Sequence, residues 1–159
     1  MQQEIKAFEQ LTTVLEWLME LQERHPEALH FGLIHVRFHD ASLLGKAYGA
    51  QDASKMLTEL AQKLRLAFRK SDIVARDHAD FWILAPYTSP ETVTEKVALL
   101  VKIASADGLD IVDRDVAVFS MPNTEVMQGM AFKSASEFLE HLKNNRQITF
   151  RWEHSGQAA

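Results

Sequence analysis

One stretch leaves few folds open: Arg69-Lys70-Ser71-Asp72-Ile73-Val74-Ala75-Arg76-Asp77-His78-Ala79-Asp80-Phe81-Trp82-Ile83-Leu84-Ala85-Pro86. Ile73 to Arg76 and Asp80 to Ala85 are short runs rich in apolar residues. The polar triplet Asp77-His78-Ala79 joins them, which is the pattern of a β-hairpin. β-Branched and aromatic residues in the second run suit a pleated, half-buried surface. Pro86 has no N–H to offer a ladder and stops that run. An Arg-x-x-Asp, Arg69 and Asp72, stands just before the first arm. The rest of the chain must supply a helix on each side of the hairpin and a sheet around it.

The N-terminal stretch, residues 2 to about 24, has no Gly or Pro and is rich in Glu, Gln, Leu and Ala. Phe8, Leu11, Leu15 and Leu18 step by three, four and three, the a/d spacing of a coiled coil, and Val14 and Leu21 widen the stripe. His25-Pro26 ends it, because the residue before a proline is pushed out of the α region. Such a stripe serves either a helix packed on its own domain or a dimer or signal-relay helix. Phe31 to Phe38 reads as a buried strand with Ile34, Val36 and Phe38 on one face and Leu33, His35, Arg37 and His39 on the other. His35 and His39 would lie roughly 13 Å apart at about 3.3 Å per residue, too far for one metal ion.

Ala41 to Ala47 reads as a short helix closed by Tyr48-Gly49. Another helix is expected from an N-cap at Asp52 to about Phe68, with Leu57, Leu60, Leu64 and Phe68 inward. Ser89-Pro90-Glu91 has the composition of a helix start, and Val93, Val97, Leu100 and Ala104 would face inward before Asp107-Gly108. Ile111 to Ser120 reads as a strand broken by Asp113-Arg114-Asp115. Ser134-x-x-Glu137 is a capping box opening a helix through Phe138, Leu139 and Leu142. Ile148, Phe150 and Trp152 make a final strand. The element order predicts an α+β fold, a central mixed sheet wrapped by helices.

At 159 residues the chain suits one domain, and 47% hydrophobic residues can build one core. It has no cysteine, so neither disulfides nor thiolate chemistry. No apolar run is long enough to span a bilayer, and the N-terminus lacks the basic and apolar regions of a signal peptide; the expected location is cytoplasmic. The net charge of −5 argues against DNA or RNA as partner. Between Lys55 and Arg76, however, six cations face only Glu59 and Asp72. That zone is either a solvated helix face or a site for a small anion or an acidic partner.

The run from Ser71 to Pro86 resembles the GGDEF domain of diguanylate cyclases. The resemblance extends over most of residues 30–152 and includes Tyr48-Gly49, the helix into Arg69, Ser89-Pro90-Glu91 and the last helix and strand. It implies a nucleotidyl-cyclase palm-like sheet, with residues 1–25 as an added helix, 30–152 as the domain and 153–159 as a tail. The family's Gly-Gly-Asp/Glu-Glu-Phe turn aligns with Asp77-His78-Ala79-Asp80-Phe81. The paired glycines give a turn with unusual backbone angles and let a nucleotide approach the main chain; Asp77 and His78 are not expected to do both. The metal-ligating acid of the turn falls on Ala79 and that of the first strand on Arg37. The following helix's Lys and Asn fall on Ser42 and Gly45, and the guanine-contacting Asp falls on Ser54. Two-metal phosphoryl transfer requires those carboxylates, so the expectation is a catalytically inactive domain with no cofactor and no metal site.

What remains of the family's ligand chemistry is the Arg-x-x-Asp, which the resemblance identifies with the inhibitory site for cyclic di-GMP. Arg69 would present its fork to a phosphate or to guanine O6 and N7, and Asp72 would accept from guanine. Arg76 lies nearby, and Lys96 or Lys102 would have to stand for the second arginine of the family. Two functions follow: a cyclic di-GMP receptor through these residues, or an interaction module that binds no nucleotide. In the second, a homodimer or a partner protein would use the N-terminal helix.

Overall fold

The computed structural model of the chain describes residues 2–24, 30–38, 42–78, 80–86, 95–96, 98–100, 102, 114–121, 134–145 and 148–152. The elements in order are α1 (Gln2–Arg24), β1 (Phe31–Phe38), α2 (Ser42–Tyr48), α3 (Ala50–Ala67), β2 (Ile73–Asp77) and β3 (Asp80–Pro86). They continue with β4 (Arg114–Met121), α4 (Ala135–Asn144) and β5 (Ile148–Trp152). Between β3 and β4, residues 95, 96, 98–100 and 102 are helical. His39, Ala79, His25-Pro26, Ser89-Pro90-Glu91, Val93, Val97, Ala104, residues 111–113 and the tail from 153 lie outside the described residues.

The five strands form one sheet in the order β2-β3-β1-β4-β5. Every described pairing is antiparallel, rather than the mixed arrangement expected from the sequence. The helical crossover from β1 to β2 does exist. Its two strands are not neighbours, because the hairpin's return strand β3 slots between them, pairing Ile34 with Ile83 on one side and Val74 with Ile83 on the other.

Side-chain alternation divides the core between the two faces of the sheet. Ile34, Val36, Phe38, Val74, Phe81 and Ile83 meet Leu57, Leu60, Leu64 and Phe68 from α3 and its C-cap on one face. Leu33, Ala75, Trp82 and Leu84 meet Leu11, Leu15 and Leu18 of α1 and Phe138, Leu139 and Leu142 of α4 on the other. The leucine stripe of α1 is therefore buried against its own sheet. Each such leucine contributes about 1.5–3 kcal/mol by leaving water, and that contribution goes to this fold.

Two helix starts differ in how they are made. At α4 the N-cap forms where the sequence predicts it: Ser134 is extended and its hydroxyl accepts from the Glu137 N–H at 3.2 Å, the first of the two bonds of a capping box. Glu16 of α1 reaches the same end and accepts from the Ala135 N–H at 3.0 Å, tying the two helices together. At α3 the cap is Gly49, not Asp52, which lies inside the first turn. Gly49 sits at φ +88°, a backbone angle that glycine adopts without a Cβ penalty.

Candidate functional site

The hairpin carries its polar groups to both faces of the sheet. β2 and β3 pair from Ile73–Leu84 to Asp77–Asp80, so the turn is only His78-Ala79. His78 sits at φ +56°, in the left-handed region. The turn angle expected to need glycine is thus adopted by a histidine, one of the residues more often found there. Its side chain is almost fully exposed.

Asp72 precedes β2 in a tight turn. Its N–H donates to the Arg69 carbonyl at 2.9 Å, and its Oδ2 accepts from the Arg69 N–H at 3.1 Å. The same oxygen takes the Lys96 ammonium, and the two side chains are only 2% and 9% exposed. Lys96 Nζ also lies 4.8 Å from the centre of the Phe68 ring, over its face. The pair is thus buried by the end of α3, and the Asp72 carboxylate is used within the chain. Arg69 contributes its backbone to this turn while its side chain is exposed. Lys102 is exposed and on the same helical stretch as Lys96.

Arg76 points to the α3 face, as its place between Ala75 and Asp77 requires. Nε donates to the His78 carbonyl at 2.6 Å and Nη1 to the Ser54 carbonyl at 3.1 Å. Nη1 also lies 2.9 Å from Thr58 Oγ1, and Nη2 is 3.5 Å from Ser54 Oγ. The guanidinium therefore pins the turn to α3 and occupies Ser54, the position that the resemblance assigns to guanine contact. These four contacts tie it to α3 and the turn, while Asp72 is tied to Lys96.

Asp77 and Asp80 point to the other face, towards α4. Lys143 Nζ stands 3.3 Å from Asp77 Oδ2, 3.5 Å from Asp80 Oδ2 and 3.8 Å from Glu140 Oε1. Asp80 Oδ2 is also 3.3 Å from Nε2 of His35, which is fully buried and stacks on Trp82 at 4.3 Å between ring centres. Burial raises the Asp80 carboxyl, but the nearby His35 ring, Lys143 and Arg37 together outweigh it and hold it below the usual carboxylate value. Arg37 lies beside Asp80 in the β1–β3 register and beside Asp115 in the β1–β4 register. Sequence spacing gave no sign of Lys143, which comes from a helix far along the chain.

Among the described residues no group of three or more His, Asp or Glu side chains could hold a metal ion. The metal-ligand positions implied by the resemblance carry Arg37 and Ala79, which offer no carboxylate, and the hairpin acids Asp77 and Asp80 lie against Lys143. This donor set does not fit a divalent cation.

Residues 9–149 match the GGDEF domain family, described as "Diguanylate cyclase, GGDEF domain". The chain belongs to the GGDEF family. That match begins inside α1 and runs into β5. No curated protein matches the chain. Solved structures share the fold at low identity. Diguanylate cyclase SiaD of Pseudomonas aeruginosa, in complex with its activator SiaC, is 16% identical with a TM-score of 0.57. The alignment covers 84% of this chain and 55% of that one, so the chain spans about half the length of SiaD. The GGDEF domain of DgcB from Caulobacter crescentus, in complex with c-di-GMP, is 12% identical with a TM-score of 0.56, covering 77% of this chain and 71% of that one. A microbial GGDEF domain described with a novel mode of interaction with cyclic di-GMP is 13% identical, with a TM-score of 0.57 and coverage of 79% and 74%. At these identities the likeness concerns the fold.

Proposed function

We propose that this GGDEF domain, related by family to cyclic di-GMP signalling, is a catalytically silent cytoplasmic module that works by binding another protein. One observation carries the reading: the three acids of the hairpin, Asp72, Asp77 and Asp80, are all matched by lysines of the same chain. Lys96 takes the first and Lys143 the other two. A nucleotide or its cation would have to displace an internal ion pair at each of them. At the one buried pair, Asp72–Lys96, losing a partner costs about 3–5 kcal/mol, comparable to the binding free energy of a millimolar ligand. A partner would meet the outer surface of α1 rather than its leucine stripe, which the core uses. The complex of SiaD with SiaC is a case of a relative that binds a protein.

Incubation with GTP and Mg²⁺ followed by chromatography of the products tests the silent site. The expected result is unchanged GTP; formation of cyclic di-GMP would overturn it. A second reading keeps the domain as a cyclic di-GMP receptor, favoured by the exposed Arg69 beside Asp72. It requires Asp72 to leave Lys96. Calorimetry with cyclic di-GMP at tens of micromolar protein should show no heat under the first reading. Heat that disappears in Arg69→Ala would establish the second.

A further inference from the structure

α4 makes polar contacts with two separate elements, one near each end. At its start Glu16 of α1 accepts from the Ala135 N–H at 3.0 Å, beside the Ser134 hydroxyl that takes the Glu137 N–H. In its last turn Lys143 Nζ stands 3.3 Å from Asp77 Oδ2 and 3.5 Å from Asp80 Oδ2, the two residues that close the hairpin. These contacts lie about 12 Å apart along the helix axis, at roughly 1.5 Å per residue. Each sits where the helix dipole favours its charge, a carboxylate at the N-terminus and an ammonium at the C-terminus. Between them Ala135, Phe138, Leu139 and Leu142 are buried in the cluster that holds Leu11, Leu15 and Leu18 of α1 and Trp82 of β3. Apolar burial is non-directional. It presses α4 onto the sheet but does not fix how far the helix slides or turns there. The directional contacts at its ends do.

We propose that α4 is a strut through which the seating of α1 sets the grip of Lys143 on the hairpin turn. With Glu16 on the Ala135 N–H, α4 is held where Lys143 reaches both acids. When Glu16 withdraws, the helix start loses that anchor. α4 then shifts along its apolar face, and the Lys143 ammonium loosens from Asp77 and Asp80. The turn opens more often as a result. The coupling is a property of the chain alone and holds whatever meets α1 or the hairpin. α1 also packs on Ile73 and Ala75 of β2, so the test separates that direct route from the one through α4.

Native-state hydrogen exchange of the full chain, read residue by residue, reports local opening. In Glu16→Ala, protection of the Asp77 and Asp80 amides should fall about fivefold, the factor of a lost helix cap. Protection of the Leu60 and Leu64 amides in α3 should not change, whereas a general loss of stability would lower it too. Glu16→Gln keeps an acceptor oxygen and should stay within about twofold of the wild type. Lys143→Met should lower the same two hairpin protections, and adding Glu16→Ala to it should change them no further, because the strut is already released. Unchanged hairpin protection in Glu16→Ala overturns the proposal, as does an equal fall at Leu60 and Leu64. So does a Glu16→Ala effect that persists in full on the Lys143→Met background, which would assign the coupling to the direct contact of α1 with β2.

Discussion

Replacing Lys96 by Met measures whether Asp72 is locked or available. The substitution keeps the aliphatic stem against Phe68 and removes the ammonium. Asp72 would be left with one described donor, the Arg69 N–H at 3.1 Å. Its side chain is 2% exposed, so water cannot take over. Removing one partner of a buried pair costs about 3–5 kcal/mol. The Arg69 N–H bond is present in both chains and cancels, but it keeps the carboxylate partly satisfied, so the expected loss lies at the lower end, about 3 kcal/mol. If the pair were an ordinary surface contact, the loss would be about 0–1 kcal/mol, so the two pictures are separated by more than the error of a urea titration. Urea unfolding at pH 7, followed by circular dichroism, gives the number. Asp72→Asn combined with Lys96→Met removes both charges and should recover more than half of the loss. A loss below about 1 kcal/mol, or no recovery in the double variant, would refute the lock and return Asp72 to the list of groups able to meet a ligand.

Three other measurements follow from the same geometry. Arg76→Ala removes the bonds to Ser54, Thr58 and the His78 carbonyl and should cost about 1–3 kcal/mol in urea unfolding; Arg76→Lys should recover little, since an ammonium lacks the planar fork. His78→Gly removes the side chain from a left-handed position and should raise stability by up to about 1 kcal/mol, the 1–2 kcal/mol of relief being partly offset by glycine's greater unfolded entropy. Asp80 is held below the usual carboxylate range, so it binds its proton less readily folded than unfolded. Its contribution is complete above the unfolded pKa of about 3.9 and is lost as pH falls below it. Acid unfolding should accordingly become less steep below about pH 4 in Asp80→Asn.

Much of the architecture was readable because it depends on local rules. The three-four-three spacing of Phe8, Leu11, Leu15 and Leu18 marks a helix face, and the strand periods of β1 and β3 mark two faces of a sheet. The capping box at Ser134 was visible for the same reason. The spacing in α1 says which side chains share a face but not what covers it, so partner helix and core helix stayed equal until the sheet was seen beneath. The strand order was not readable. Nothing local states that β3 returns between β1 and β2, and that insertion is why the two strands joined by the helical crossover do not pair. Asp52 as cap was a reasonable inference from residue type, yet the chain turns three residues earlier, where Gly49 permits a positive φ.

The candidate site was half legible for a physical reason that follows from the strand period. Alternation along β2 sends Arg76 to α3 and Asp77 to α4, two residues adjacent in sequence but on opposite faces. A sequence motif reads such neighbours as one group; the sheet separates them by its own thickness. Their partners are then set by packing: Ser54 and Thr58 lie on the helix already buried over Val74, and Lys143 follows Leu142, which is fixed in the core beneath Trp82. Once Leu142 is seated, Lys143 is carried to the hairpin whether or not a ligand exists there. A carboxylate in a half-buried site needs a cation, because an unpaired charge there is costly. Lys96 meets that need for Asp72 and Lys143 for Asp77 and Asp80 from within the chain. The acids could be read without the fold; the lysines that face them could not.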